Sequence, residues 1–224
     1  MAFKKGLLLV MAVALVIVMA GCGKKENGNK ENANKAADNN DKQTEQKVLS
    51  WPKMPEMAID VEKTYLAKFK TTKGAFTVEL FAKDAPQTVN SFVFLANEKF
   101  YDGIKFHRIV EDFMIQTGDP KADGTGGPGY NIPDELNNGH KYEDGVVAMA
   151  NTGQPNTGGS QFFICTGPVA GGLNSQPNFT IFGKVKDGMD VVKKIAQTPV
   201  EANGREMSKP TEEVKIETIE IEVQ

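Results

Sequence analysis

From residue 65 onward, the apolar residues of this chain fall into short runs separated by loops rich in Gly, Asn and Pro. Runs of roughly four to eight residues bounded by turn formers build strands, because a helix needs an apolar stripe sustained over about ten residues or more. Alternation begins at Tyr65-Leu66-Ala67-Lys68-Phe69-Lys70 and resumes at Ala75-Phe76-Thr77-Val78-Glu79-Leu80, with Thr72-Lys73-Gly74 between them, which predicts a β-hairpin. Asp84-Ala85-Pro86 then offers a cap and a proline suited to a first helical turn. Val89, Phe92, Val93, Ala96 and Phe100 follow at helical spacing, so one helix is expected over 85–98. Apolar runs at 105–109, 112–117, 146–149, 161–165 and 180–186 predict further strands. A second helix is expected over 190–197, followed by a long loop containing Pro199, Gly204 and Pro210 and a last strand carrying Val214, Ile216, Ile219 and Ile221. About eight strands with two helices favour a closed antiparallel barrel or a sandwich over a parallel sheet.

The first 64 residues read differently. Lys4 and Lys5 precede fourteen uninterrupted apolar residues, Leu7 to Ala20, and then Gly21-Cys22. This is the basic region, apolar core and small-residue cleavage site of an export signal, and it falls short of the roughly 20 residues a membrane span requires. Val18-Met19-Ala20-Gly21-Cys22 resembles the bacterial lipoprotein signal, in which the Cys is lipidated and becomes the new N-terminus. Residues 1–21 are thus expected to be removed and Cys22 to carry a lipid anchor. Between residues 23 and 47 the only apolar side chains are Ala33, Ala36 and Ala37, too few to offset the entropy of ordering, so 22–47 is expected to be a disordered tether. The extension 48–64 includes Ser50-Trp51-Pro52-Lys53-Met54-Pro55-Glu56-Met57 and is expected to pack loosely on the domain over 65–224.

Several chemistries are excluded. A net charge of -3 gives no broad basic surface, so no nucleic-acid partner is implied. With two histidines, His107 and His140, and two cysteines, no metal site is implied. Cys165 reads as a small buried thiol on a strand. Ser160 follows Gly158-Gly159 without forming the hydrolase elbow. Gly124-Thr125-Gly126-Gly127-Pro128-Gly129 satisfies the dinucleotide spacing, but Pro128-Gly129-Tyr130-Asn131-Ile132-Pro133 cannot open the helix such a site requires. A flexible loop is expected there, and no cofactor.

Four segments remain: Phe106-His107-Arg108-Ile109 continuing through Phe113-Met114-Ile115-Gln116-Thr117-Gly118-Asp119, then Gly124-Thr125-Gly126-Gly127, then Val147-Ala148-Met149-Ala150-Asn151, then Gly158-Gly159-Ser160-Gln161-Phe162-Phe163-Ile164-Cys165. In order and separation they resemble the cyclophilin family of peptidyl-prolyl cis-trans isomerases, from about Tyr65 to Val223. The resemblance implies a mainly β fold, a closed eight-stranded antiparallel barrel capped by two α-helices, with an external groove for Xaa-Pro segments. It makes Arg108 the catalytic side chain and places His107, Phe113, Met114, Gln116, Gly124, Ala150, Asn151, Thr152, Gln161 and Phe163 in the substrate groove. The chain departs from the family after Thr166. Where many cyclophilins carry Trp-Leu and then a His, it has Gly172-Leu173 and, after a slightly longer loop, Phe179. Leu173 and Phe179 are therefore expected at the groove rim, with weakened cyclosporin binding. The activity implied is isomerisation of Xaa-Pro bonds in exported proteins by a membrane-anchored monomer. The alternative is a non-catalytic module that holds proline-containing segments as a chaperone or assembly partner.

Overall fold

The computed structural model describes residues 49–224, so the signal, Cys22 and the tether lie outside the described residues. The first hairpin forms where alternation places it: β1 (Tyr65–Thr71) pairs with β2 (Gly74–Leu80), and Phe69 stacks on its cross-strand partner Phe76 at 4.5 Å. Helix α1 (Pro86–Asn97) follows, then the strands β3 (Arg108–Val110), β4 (Met114–Thr117), β5 (Val146–Met149), β6 (Phe162–Cys165) and β7 (Ile181–Asp187). Helix α2 (Met189–Ala196), the hairpin β8 (Val200–Asn203) and β9 (Glu206–Pro210), and β10 (Ile216–Val223) complete the chain. Eight strands form one antiparallel sheet in the order β10-β1-β2-β7-β5-β6-β4-β3.

The sheet curls without closing, which corrects the expected closed barrel to an open half-barrel. Its edge strands, β10 and β3, do not pair with each other. Because β3 is only three residues long, the seam is held by the residues just before it. An isolated bridge joins Lys105 to Lys215, with backbone bonds Gly103 N to Ile216 O, Phe106 N to Val214 O and Ile216 N to Ile104 O at 2.8–2.9 Å. Both bridge lysines pair with Glu213, which relieves the repulsion of like charges set opposite each other.

Aromatic side chains fill the concave side. Phe162 lies edge-on to Phe69, Phe92, Tyr101 and Phe182, all fully buried. The strands β4, β5 and β6 are buried on both faces. Ile115, Val147, Phe162 and Ile164 join this core, while Met114, Val146, Ala148, Phe163 and Cys165 join a second cluster on the other side. The period of two that predicted strands here also sorts residues between two apolar environments.

Three local expectations fail for tertiary reasons. The cap of α1 is not Asp84, which instead meets His140 at 2.8 Å. Ala85 takes the N-cap position, and the free N–H groups of Gln87 and Thr88 donate to the Glu135 carboxylate, each at 2.9 Å. A carboxylate from a distant loop thus satisfies the helix start and its positive dipole end. The extension is fastened rather than loose. Trp51 packs edge-on to Phe94 at 5.2 Å and donates its backbone N–H to Pro128 O at 2.8 Å. Buried Asn90 accepts from Ala58 N and Ile59 N and donates to Glu56 O. The expected loop after α2 contains the hairpin β8–β9, whose two-residue turn is Gly204-Arg205. Gly204 has φ 63, the left-handed conformation a tight hairpin turn demands at its first position and glycine adopts freely.

Candidate active site

The β3–β4 hairpin sets Arg108 opposite Gln116, and β6 sets Phe163 on the other side of Gln116, with Ala148 of β5 next in line. Lateral partners in a pleated sheet share a face, so Arg108, Gln116, Phe163 and Ala148 form one row across four strands. The next row holds Val110, Met114 and Cys165. Pairing alone thus brings the expected catalytic arginine, a polar amide and the apolar floor together. The close approach of β4's exit to β6 requires Gly118, at φ 85, where a Cβ would lie 2.2 Å from Ser160 O.

Around this row the expected residues divide into two groups. Phe113, Met114, Phe163, Leu173 and Phe179 belong to the second apolar cluster, with Phe179 edge-on to Phe163 at 5.3 Å. Leu173 sits in a 3₁₀ segment, Pro168–Ser175, for which the sequence pattern predicts no helix. Its neighbour Asn174 fixes that segment, donating to Tyr142 O and accepting from Tyr142 N, both at 2.9 Å. Tyr142 also bonds Phe179 twice, donating to its O at 2.6 Å and accepting from its N at 3.0 Å. Phe179 therefore fills its place through a buried tyrosine that no sequence motif singles out. Burial pushes the Cys165 thiol up to about 12, so it is an inert part of this cluster.

The second group lines a cavity of about 1060 Å³. Gln116, Gly124, Ala150, Asn151, Thr152 and Gln161 face it, and Ser50 of the extension contributes to its wall. The glycine-rich loop is held in place: Gln161 Nε2 donates to Gly124 O at 3.1 Å and to Gly126 O at 2.9 Å. Thr152 is fixed by Thr157, and the Asn151 amide donates to Asn178 O at 2.8 Å. The loop is therefore one wall of a pocket and opens no helix, as its prolines require. His107 lines neither group. Burial holds its pKa below the ordinary 6.5, against the pull of Asp119.

Arg108 joins the two groups. Its Nη1 donates to Gln116 Oε1 at 3.1 Å and lies 3.9 Å from Met114 Sδ. Gln116 Nε2 in turn donates to Gln161 Oε1 at 3.0 Å. On its other side Arg108 makes a bidentate pair with Glu206 of β9, Nε to Oε2 and Nη2 to Oε1, both 2.7 Å. The guanidinium beside it holds the Glu206 carboxyl below the usual carboxylate range. Glu206 is not among the residues expected from sequence. The available signal is Gly204-Arg205, a Gly-X pair of the kind that turns a two-residue hairpin, inside what otherwise reads as loop.

The family described as cyclophilin type peptidyl-prolyl cis-trans isomerase/CLD matches residues 66–221. Peptidyl-prolyl cis-trans isomerase-like 1 of Neurospora crassa is 45% identical over 151 residues, covering 66% of this chain and 88% of that one. A peptidyl-prolyl cis-trans isomerase of Helicobacter pylori is 44% identical over 141 residues, covering 62% and 84%. Among solved structures, a cyclophilin type isomerase of Cryptosporidium parvum is 32% identical with a TM-score of 0.64, covering 71% of this chain and 98% of that one. A second structure of it, in the presence of the dipeptide Ala-Pro, gives 0.63 at the same identity, covering 70% and 98%. With that match across most of the folded residues and the arginine row it encloses, the chain belongs to the cyclophilin type peptidyl-prolyl cis-trans isomerase family.

Proposed function

We propose that this isomerase acts outside the cytoplasm, as a monomer held to a membrane by acyl chains on Cys22, and accelerates Xaa-Pro rotation in exported proteins with Arg108 as its catalytic side chain. The observation that carries the catalytic part of this reading is the placement of Arg108 in register with Gln116 and Phe163, where it links the second apolar cluster to the neighbouring cavity through its bond to Gln116.

The chemistry follows from the amide. Resonance keeps the Xaa-Pro bond planar, with a barrier of roughly 18–20 kcal/mol, slow enough to limit folding. Twisting the bond returns a lone pair to the prolyl nitrogen. A permanently charged guanidinium donates hydrogen bonds to that nitrogen or to the adjacent carbonyl oxygen, so it favours the twisted state over either planar isomer. Phe113, Met114 and Phe163 receive the proline ring, with Leu173 and Phe179 at the rim. Gln116, Gln161 and the Asn151 backbone hold the substrate chain along Gly124, Ala150 and Thr152. No covalent bond is made and no cofactor is needed.

Export rests on Lys4-Lys5, the apolar run and Gly21-Cys22. More than one acyl chain gives stable attachment, since each buried CH₂ contributes about 0.8 kcal/mol. The test of the site is the cis/trans exchange rate of an Ala-Pro tetrapeptide, measured by NMR with the full chain and with Arg108→Ala. The substitution is expected to lower kcat/KM about a hundredfold, about 3 kcal/mol. Equal rates for both would remove Arg108 from catalysis, and no acceleration by the parent would leave a proline-binding module without activity. For the anchor, Cys22→Ala is expected to move the exported protein from the membrane fraction to the soluble fraction, and retention would reject lipidation.

A further inference from the structure

The β8–β9 hairpin ends against the catalytic row, and its Glu206 is the sole carboxylate among the described residues bonded to Arg108. A guanidinium has five N–H donors in a rigid fork. Glu206 accepts from two of them and Gln116 from a third. The second Nη1–H faces only the weak acceptor Met114 Sδ at 3.9 Å, which leaves one N–H on Nη2 without a partner among the described residues. Acceptors on two different sides fix both the position and the plane of the group, whereas Gln116 alone would leave the plane free to turn.

Water screens what the pair adds to stability. The Arg108 and Glu206 side chains are 32% and 41% exposed, and ion pairs this open to water contribute little. The same exposure keeps Glu206 hydrated, which screens its pull on the guanidinium charge. What survives screening is orientation, because a bidentate carboxylate matches the guanidinium fork geometrically. Arg108 stands on an edge strand of three residues and has a long, freely rotating side chain. Without a second clamp it would have to be ordered at each turnover.

We propose that Glu206 is a positioning residue for the isomerisation, presenting the unpartnered Nη2–H of Arg108, and the Nη1–H that only the Met114 thioether holds, to the twisting amide. The residue acts through Arg108, so the inference rests on the catalytic role given to that arginine. It also accounts for the β8–β9 hairpin, whose two-residue turn at Gly204-Arg205 brings a carboxylate to an arginine 98 residues earlier in the chain.

The experiment measures kcat and KM of the full chain on an Ala-Pro tetrapeptide for Glu206→Ala, Glu206→Gln, Arg108→Ala and Arg108→Ala/Glu206→Ala, with urea unfolding of each. Glu206→Ala is expected to lower kcat about tenfold with KM within about twofold, because a donor is misplaced and no substrate contact is lost. Glu206→Gln, which keeps an acceptor of the same shape, is expected to recover most of that loss. In the Arg108→Ala background Glu206→Ala is expected to have no further effect on kcat, since the two act as a unit. Parental kcat for Glu206→Ala overturns the proposal, as does a rise in kcat, which would make Glu206 a restraint on Arg108. An equal loss with and without Arg108 also overturns it, since the hairpin would then act through the fold. If Arg108→Ala itself retains activity, the role given to Arg108 fails, an outcome read separately from that of Glu206.

Discussion

Along β6, Phe162 and Ile164 enter the core inside the half-barrel, while Phe163 and Cys165 enter the cluster on the opposite face. Both faces are buried, yet they are finished differently. The inner face is closed on itself by aromatic rings in edge-to-face contact. The opposite face is apolar only in part, and Arg108 and Gln116 continue its row. The same backbone therefore anchors stability on one side and displays the candidate site on the other. A site built on strands whose far side is tightly packed is held more accurately than one built on loops.

The first way to break this comparison is to truncate each face of β6 in turn. Phe162→Ala empties a fully buried position in the closed core and is expected to cost about 3–5 kcal/mol of stability, with KM of the surviving folded protein unchanged. Phe163→Ala opens a cluster that borders the groove, which water can refill, and is expected to cost about 2 kcal/mol while raising KM about tenfold. Urea unfolding together with steady-state kinetics separates the two. Equal destabilisation with KM unaffected in both would mean that the second cluster is only core.

The smallest expected effect concerns His107, which lies beside Arg108 in sequence but lines neither part of the groove. Its pKa is held below the ordinary 6.5 by burial. On acidification below about 6.5 the unfolded chain takes up a proton that the folded chain still refuses, so stability falls as the pH drops toward the folded pKa. His107→Gln is expected to flatten stability against pH in that window. An unchanged slope would assign the acid loss to other groups.

The grouping of Phe113, Met114, Gln116, Gln161 and Phe163 was legible only through the family resemblance of the segments that carry them, whereas the strands and their alternation were legible because each depends on a period of two within a short run of neighbouring residues. The helices α1 and α2 were legible for the same reason, their apolar spacing being local. Less legible were the ends and edges. Glu135 caps α1, Tyr142 seats Phe179, Trp51 and Asn90 fasten the extension, and Glu206 holds Arg108, and each is a contact between distant segments. A single sequence carries no signal for such pairs until the strands have folded.

By itself, then, the sequence determined which residues alternate and where the glycines allow turns, and through its family resemblance it implied that an arginine, two glutamines and a set of aromatic and Met side chains would line one surface. Only the tertiary structure decided that the sheet stays open at β3 and β10 and that the hairpin after α2 reaches back to Arg108. The reason is one of range. Alternation is dictated by steric rules that act within a strand, whereas edge pairing and a 98-residue ion pair depend on the lengths and twists of every element between them.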